Sequence, residues 1–306
     1  MRKLRLVHML VFGIMLLSVS IGSQAALKVI ATTQDLAAIA KEVGGQHVQV
    51  QSLTRGTRDP HFAAAKPSMI RKVFHADLLL LVGADMEIAW LPVLLQSARN
   101  AKVLPGNNGY LDISLLIPLL GKLDGPVSRS MGDVHAGGNP HYWLDPRNGL
   151  LIAQGITNRL IAIDPENKKD YQKQFNKFKE KLNARWGIWQ QELSWLKGKP
   201  VIAYHRSFIY LAKAFDFNIV AEVEPKPGIS PSAASLTRLV SFIRNDAIGL
   251  LIMEPYYERR SAAYLNEKTD IHISVLPQSV GAQKNIKTYF DLFDEIVKAF
   301  NQSRVK

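Results

Sequence analysis

No cysteine occurs among the 306 residues, which excludes disulfides, thiolate metal sites and a lipid-modified N-terminal cysteine. Low-complexity tracts are also absent, and with 47% apolar and 21% charged residues the chain reads as globular rather than disordered or fibrous. After residue 21 no stretch is apolar and charge-free enough to span a bilayer, so the mature chain is expected to be soluble. His-Glu-x-x-His is missing, as are paired carboxylates and a nucleophile elbow, which argues against a hydrolase. Nothing interleaves the basic residues with base-stacking aromatics, which argues against a nucleic-acid partner.

What is present begins with Met1-Arg2-Lys3-Leu4-Arg5, an apolar run from Leu6 to Ile21, and Gly22-Ser23-Gln24-Ala25-Ala26. A basic start, a short apolar stretch and small residues form a secretory signal peptide, expected to be cut after Ala25. Export without a lipid anchor points to the periplasm of a two-membrane bacterium. Of the formal charge of +12, Arg2, Lys3 and Arg5 carry three that leave with the signal. The remaining excess concentrates in one helical stretch and reads as solvated surface.

From Leu27 short β-rich runs alternate with helical patterns. Strands are predicted over Lys28–Ala31, Val48–Leu53, Leu78–Val82 and near Lys102–Leu104, with helices around Gln34–Val43, Pro67–Phe74 and Ile88–Ala98. The pattern restarts after residue 199, with strands Val201–Ala203, Asn218–Glu222, Leu250–Met253 and Ile271–Val275. Helices are predicted near Phe208–Phe215, Ser232–Asn245, Arg259–Asn266 and Thr288–Phe300. The fold class is therefore α/β, with two similar lobes, each a mostly parallel sheet flanked by helices. Between them Tyr171, Phe175, Phe178, Leu182, Trp186, Trp189, Leu193 and Leu196 recur by threes and fours. That is one face of a long helix, opened by Asp164-Pro165 and stopped by Gly198-Lys199-Pro200, and it is expected to brace both lobes. The predicted divisions are signal 1–25, N-terminal lobe 26–163, linking helix 164–198 and C-terminal lobe 199–306, in a monomer.

Of the seven histidines left after the signal, three stand out by context. His61 follows Asp59-Pro60, His141 follows Asn139-Pro140, and His205 ends the strand running to Tyr204. Open α/β sheets gather ligands beyond the carboxyl ends of their strands, where these residues are expected. An X-Pro-His step restricts the backbone, so the imidazole is presented with less ordering left to do. Preorganised nitrogen ligands suit zinc.

At these residues the sequence resembles a family. Asp59-Pro60-His61 with Pro67-Ser68, Asn139-Pro140-His141-Tyr142-Trp143-Leu144-Asp145-Pro146 and Tyr204-His205-Arg206-Ser207-Phe208 are similar to the successive metal-ligand motifs of the periplasmic solute-binding proteins of zinc and manganese ABC importers. Gly83-Ala84-Asp85-Met86-Glu87 and Glu224-Pro225-Lys226-Pro227-Gly228 fit the same pattern, which covers nearly the whole mature chain. The resemblance implies two α/β lobes on one long helix, metal held between them by His61, His141 and His205, and delivery to a membrane permease driven by an ATPase. Histidine at 205, where manganese-binding relatives usually carry glutamate, favours zinc. A manganese or iron(II) carrier is the alternative, followed by a secreted zinc hydrolase using Glu254 as base. A secondary adhesion role is a third class. The chain departs from the family at Ser274–Gly281, which lacks the family's aspartate. The fourth ligand is then expected to be water first, His135 from the shortened loop Met131–Gly138 second, with Gln278 a further alternative.

Overall fold

The computed structural model describes residues 25–123, 135–224, 226 and 228–304. Residues 1–24 of the expected signal peptide and 131–134 of the Met131–Gly138 loop lie outside the described residues.

The first half runs β1 (Leu27–Ala31), α1 (Gln34–Gly44), β2 (Val48–Ser52), α2 (Pro67–Phe74), β3 (Leu78–Leu81), α3 (Leu91–Ala98) and β4 (Tyr110–Asp112), then α4 (Pro146–Ile163). After α5 (Lys168–Glu192) come β5 (Pro200–Ala203), α6 (Ile209–Phe215), β6 (Asn218–Glu222), α7 (Ala233–Asn245), β7 (Leu250–Met253), α8 (Arg260–Thr269), β8 (His272–Val275) and α9 (Tyr289–Gln302). All strand pairs are parallel, and the sheet orders β2-β1-β3-β4 and β6-β5-β7-β8 repeat one another. Sequence dictates which strands are central. Leu78-Leu79-Leu80-Leu81 and Leu250-Leu251-Ile252-Met253 are buried throughout, as strands covered on both faces must be, whereas edge strand β2 alternates Val and Gln.

The apolar face of α5 joins the halves. Tyr171, Phe178, Leu182 and Trp189 belong to a core that also takes in Ile152 and Ile156 of α4 and Tyr289, Phe290 and Phe293 of α9. Polar contacts secure both flanks. His47 meets Asp170 at 2.8 Å on the N-terminal side, while Arg185 and Trp189 bond Asp294 at 3.0 and 2.8 Å on the other. The α-helical part is about 38 Å long at 1.5 Å per residue, shorter than the predicted segment because 3₁₀ turns at 165–167 and 194–196 close its ends.

Two sequence expectations need correction. Residues 101–103 form a 3₁₀ turn, not a strand, because Asn100 accepts from the Lys102 N–H and ties the turn to Val73 and Ala76 through its amide. The fourth strand is Tyr110–Asp112 instead. The helix α4 went unpredicted, since Gly149 and Gly155 weaken its pattern. Tyr289 requires the first of these: a Cβ at 149 would stand 2.4 Å from its ring.

Candidate metal centre

A shared local device orients two of the predicted ligands. Asp59 caps the turn of residues 60–62 and accepts from the backbone N–H of His61 at 2.9 Å and from its Nδ1 at 2.6 Å. Asn139 does the same for His141, at 2.9 and 3.1 Å. In both, the proline between restricts the backbone so that the Asx side chain can reach both donors. An acceptor on Nδ1–H fixes the tautomer and leaves Nε2 with a free lone pair. His205 gains the same orientation from a more distant carboxylate: Glu224 Oε2 lies 2.7 Å from its Nδ1 and is itself held by the Gly228 N–H at 2.9 Å. These three orienting side chains were not singled out in the sequence; the Asx-Pro-His spacing was the available signal for two of them.

The structure brings all three histidines together. Ring centroids lie 5.2 Å apart for His61 and His141 and 6.2 Å apart for His141 and His205, and all three side chains are buried. His205 stands just beyond β5, as expected. His61 lies nine residues past β2, and His141 follows no strand at all; it precedes the turn 142–144, which Tyr142 fastens to the end of β3 by donating to the Val82 carbonyl at 2.6 Å. Of the others, His47 pairs with Asp170, His75 ends α2 and His272 lies in β8. His135 joins the cluster, its Nε2 3.1 Å from that of His61. Among the described residues no three such side chains already close round a single point.

Electrostatics favour a neutral imidazole at His141 and His135 and the opposite at His205. Burial, then the neighbouring His61 and His205, hold His141 well below the usual histidine range and His135 at about 4. Burial would lower His205 too, but its hydrogen bond to Glu224 and the charges of Glu254, Glu224 and Asp59 raise it. Burial would raise Asp59, yet the His61 hydrogen bond and charge hold it below the usual carboxylate range. Among the buried atoms left without a well-formed hydrogen bond are Nε2 of His141 and both oxygens of Glu254 at the end of β7. Burial pushes Glu254 up to about 7 against the opposing pull of His205.

Gln278 is buried, but its Oε1 accepts from the Tyr256 hydroxyl and its free group is the amide nitrogen. That nitrogen donates and cannot ligate.

The profile of the family described as "Zinc-uptake complex component A periplasmic" matches residues 29–303. The chain belongs to this family. It is thus a metal-binding component of an ABC metal importer. Among curated relatives, the metal ABC transporter substrate-binding lipoprotein SsaB of Streptococcus sanguinis is 26% identical over 281 residues, 89% of this chain and 87% of that one. The manganese ABC transporter substrate-binding lipoprotein PsaA of Streptococcus pneumoniae is 24% identical over 274 residues, covering 87% and 85%. Zinc-binding lipoprotein AdcA of the same species is 25% identical over 309 residues, 99% of this chain and 61% of that protein. These relatives are named for binding within transporters, not for catalysis. The crystal structure of ZnuA superposes with a TM-score of 0.75 at 20% identity, covering 92% of this chain and all of that one, which shows the shared fold.

Proposed function

We propose that the chain captures zinc in the periplasm, holds it between the lobes on Nε2 of His61, His141 and His205, and hands it to an ABC permease in the inner membrane. The observation that carries this reading is the buried, unpartnered Nε2 of His141, flanked by two further imidazoles whose Nδ1 atoms are already engaged. A buried polar atom without a partner is costly, and a bound cation removes that cost. Imidazole-rich sites suit zinc, whereas manganese favours carboxylate oxygen. We further propose His135 as the fourth ligand, in preference to water or Gln278, on the strength of its 3.1 Å approach to His61. Two imidazoles bound tetrahedrally to one zinc at about 2.0–2.1 Å have ring centroids about 5 Å apart, so the 5.2 Å between His61 and His141 suits a shared ion as it stands, and the 6.2 Å between His141 and His205 shortens on binding. The lobe divisions at residues 163 and 198 and a monomeric state complete the proposal. The relatives are named lipoproteins, whereas this sequence has no cysteine to carry such a lipid, which supports a periplasmic protein without an anchor.

One observation favours manganese as a second reading: Glu254, buried beside His205 with both oxygens unpaired, would supply carboxylate oxygen if its side chain swung in. Competition between zinc and manganese for the purified protein separates the two. Zinc should win by orders of magnitude, and an advantage for manganese would overturn the assignment.

A further inference from the structure

Beside the histidines lies more space than an ion needs. A cavity of about 730 Å³ opens against His61 and His205 and runs into the C-terminal lobe. Pockets for small organic ligands measure about 300–1,000 Å³, and at about 30 Å³ per water this one would hold roughly 20 waters. We propose that zinc arrives as a complex with a small di- or tricarboxylate, and that this cavity holds the organic part. The inference rests on the zinc reading above and names the form in which the cargo is taken.

The walls carry the argument. Leu236 and Thr237 bring the first turns of α7 to the cavity, and Arg260 and Ser261 bring the first turn of α8. These helices have 13 and 10 residues, and α8 has no side-chain cap on its N-terminal amides. Two positive helix ends therefore face one space. Arg260 lines the same space, and its guanidinium has no hydrogen-bond or ion-pair partner among the described residues. Its planar fork suits a carboxylate.

Three acidic residues also reach the cavity. Asp59 and Glu224 are already engaged by the Nδ1 atoms of His61 and His205, and Glu258 is exposed. Tyr257 covers another side, stacked on Tyr204 at 5.0 Å and 5.6 Å from the His205 ring, and Phe62 stands beside His61 with 69% of its surface exposed. Aromatic surface at that place has no use for a hydrated ion but suits a carbon skeleton. Zinc can expand from four ligands to five, so a carboxylate oxygen of the chelator would join the imidazoles without displacing His135.

Citrate is the probe. Equilibrium dialysis of radiolabelled citrate against the full chain, with and without one equivalent of zinc, is paired with a direct zinc titration of the same samples. The wild type should retain about one citrate per bound zinc and far less without zinc. Thr237→Trp, which fills the cavity, should abolish retention. Arg260→Ala, a change at an exposed side chain, should weaken it about tenfold or more, as loss of a charge-assisted hydrogen bond does. Both variants should bind zinc like the wild type, which also shows that they fold. Zinc binding with no retention of citrate or malate, or equal retention by the wild type and both variants, overturns the proposal and leaves the zinc reading intact. Failure of the wild type to bind zinc overturns both.

Discussion

The two lobes repeat one sheet order, and each buries a glutamate beyond its third strand, yet the two carboxylates are treated oppositely. Glu87, near the end of β3, accepts from the Thr32 hydroxyl, the Val82 N–H at 2.8 Å and the Gly83 N–H at 3.0 Å. Glu254, at the end of β7, makes no well-formed hydrogen bond and has only the Ser207 hydroxyl beside it as a weak donor. Burial pushes both up to about 7. The N-terminal lobe therefore satisfies its buried carboxylate from within, through bonds that fasten the residue after β1 to the chain after β3. The C-terminal lobe leaves a buried acid facing His205, a costly arrangement unless positive charge comes near. On the proposed site the lobes would play distinct parts: the N-terminal lobe presents His61 and His141, and the C-terminal lobe adds His205 beside a buried acid that gains stability when the cation arrives.

The largest effects should come from the ligands themselves. His61→Ala, His141→Ala and His205→Ala should each weaken zinc binding by more than the roughly 10–100-fold that loss of an outer orienting group costs. An effect confined to one lobe would break the idea that both hold the ion, and isothermal titration checks it. Asn139→Ala and Glu224→Ala should fall within that 10–100-fold range, since each removes only the group that directs an imidazole.

Next, the glutamates should respond oppositely to a change of charge at constant shape. Glu87→Gln replaces an acceptor by an amide and leaves buried N–H groups unsatisfied, at a cost of about 1–3 kcal/mol to the metal-free protein. Glu254→Gln removes an unpaired acid and should leave the metal-free protein as stable or more so, while lowering zinc affinity. Denaturant unfolding of both variants decides, and equal losses would erase the contrast.

The smallest expected effect concerns the seam between the lobes. Asp35, at the start of α1, accepts from the Ser279 hydroxyl at 2.5 Å and the Val280 N–H at 2.9 Å. Burial pushes it up to about 7 despite those bonds. Its unfolded value is about 4, so its contribution to stability is full below that pH and is lost as pH rises through about 7. Asp35→Asn should flatten this fall, visible as a melting-temperature difference of a few degrees at about 2–4 °C per kcal/mol. An unchanged profile would remove Asp35 as its source.

Much of this contrast was legible only in part from the residues. Leu78–Leu81 and Leu250–Met253 announce central parallel strands, and the Tyr171–Trp189 spacing announces the bracing helix, because burial on defined faces leaves a period in the sequence. The helix Pro146–Ile163 left no such mark, because its Gly149 answers to Tyr289, more than a hundred residues away. His61, His141 and His205 could be chosen by their Pro-flanked or strand-end contexts. That His135 meets His61, that Glu224 orients His205 and that Glu254 lacks a well-formed hydrogen bond depend on how distant segments cross, which no local pattern encodes.

The central claim is that His61, His141 and His205 together hold the ion across the cleft. X-ray absorption at the zinc edge of the loaded protein tests it most directly. The account predicts at least three imidazole nitrogens at about 2.0–2.1 Å, with the outer-shell scattering of imidazole rings, and one fewer in His141→Ala. A shell with two or fewer imidazoles, or one unchanged by removing His141, would contradict it.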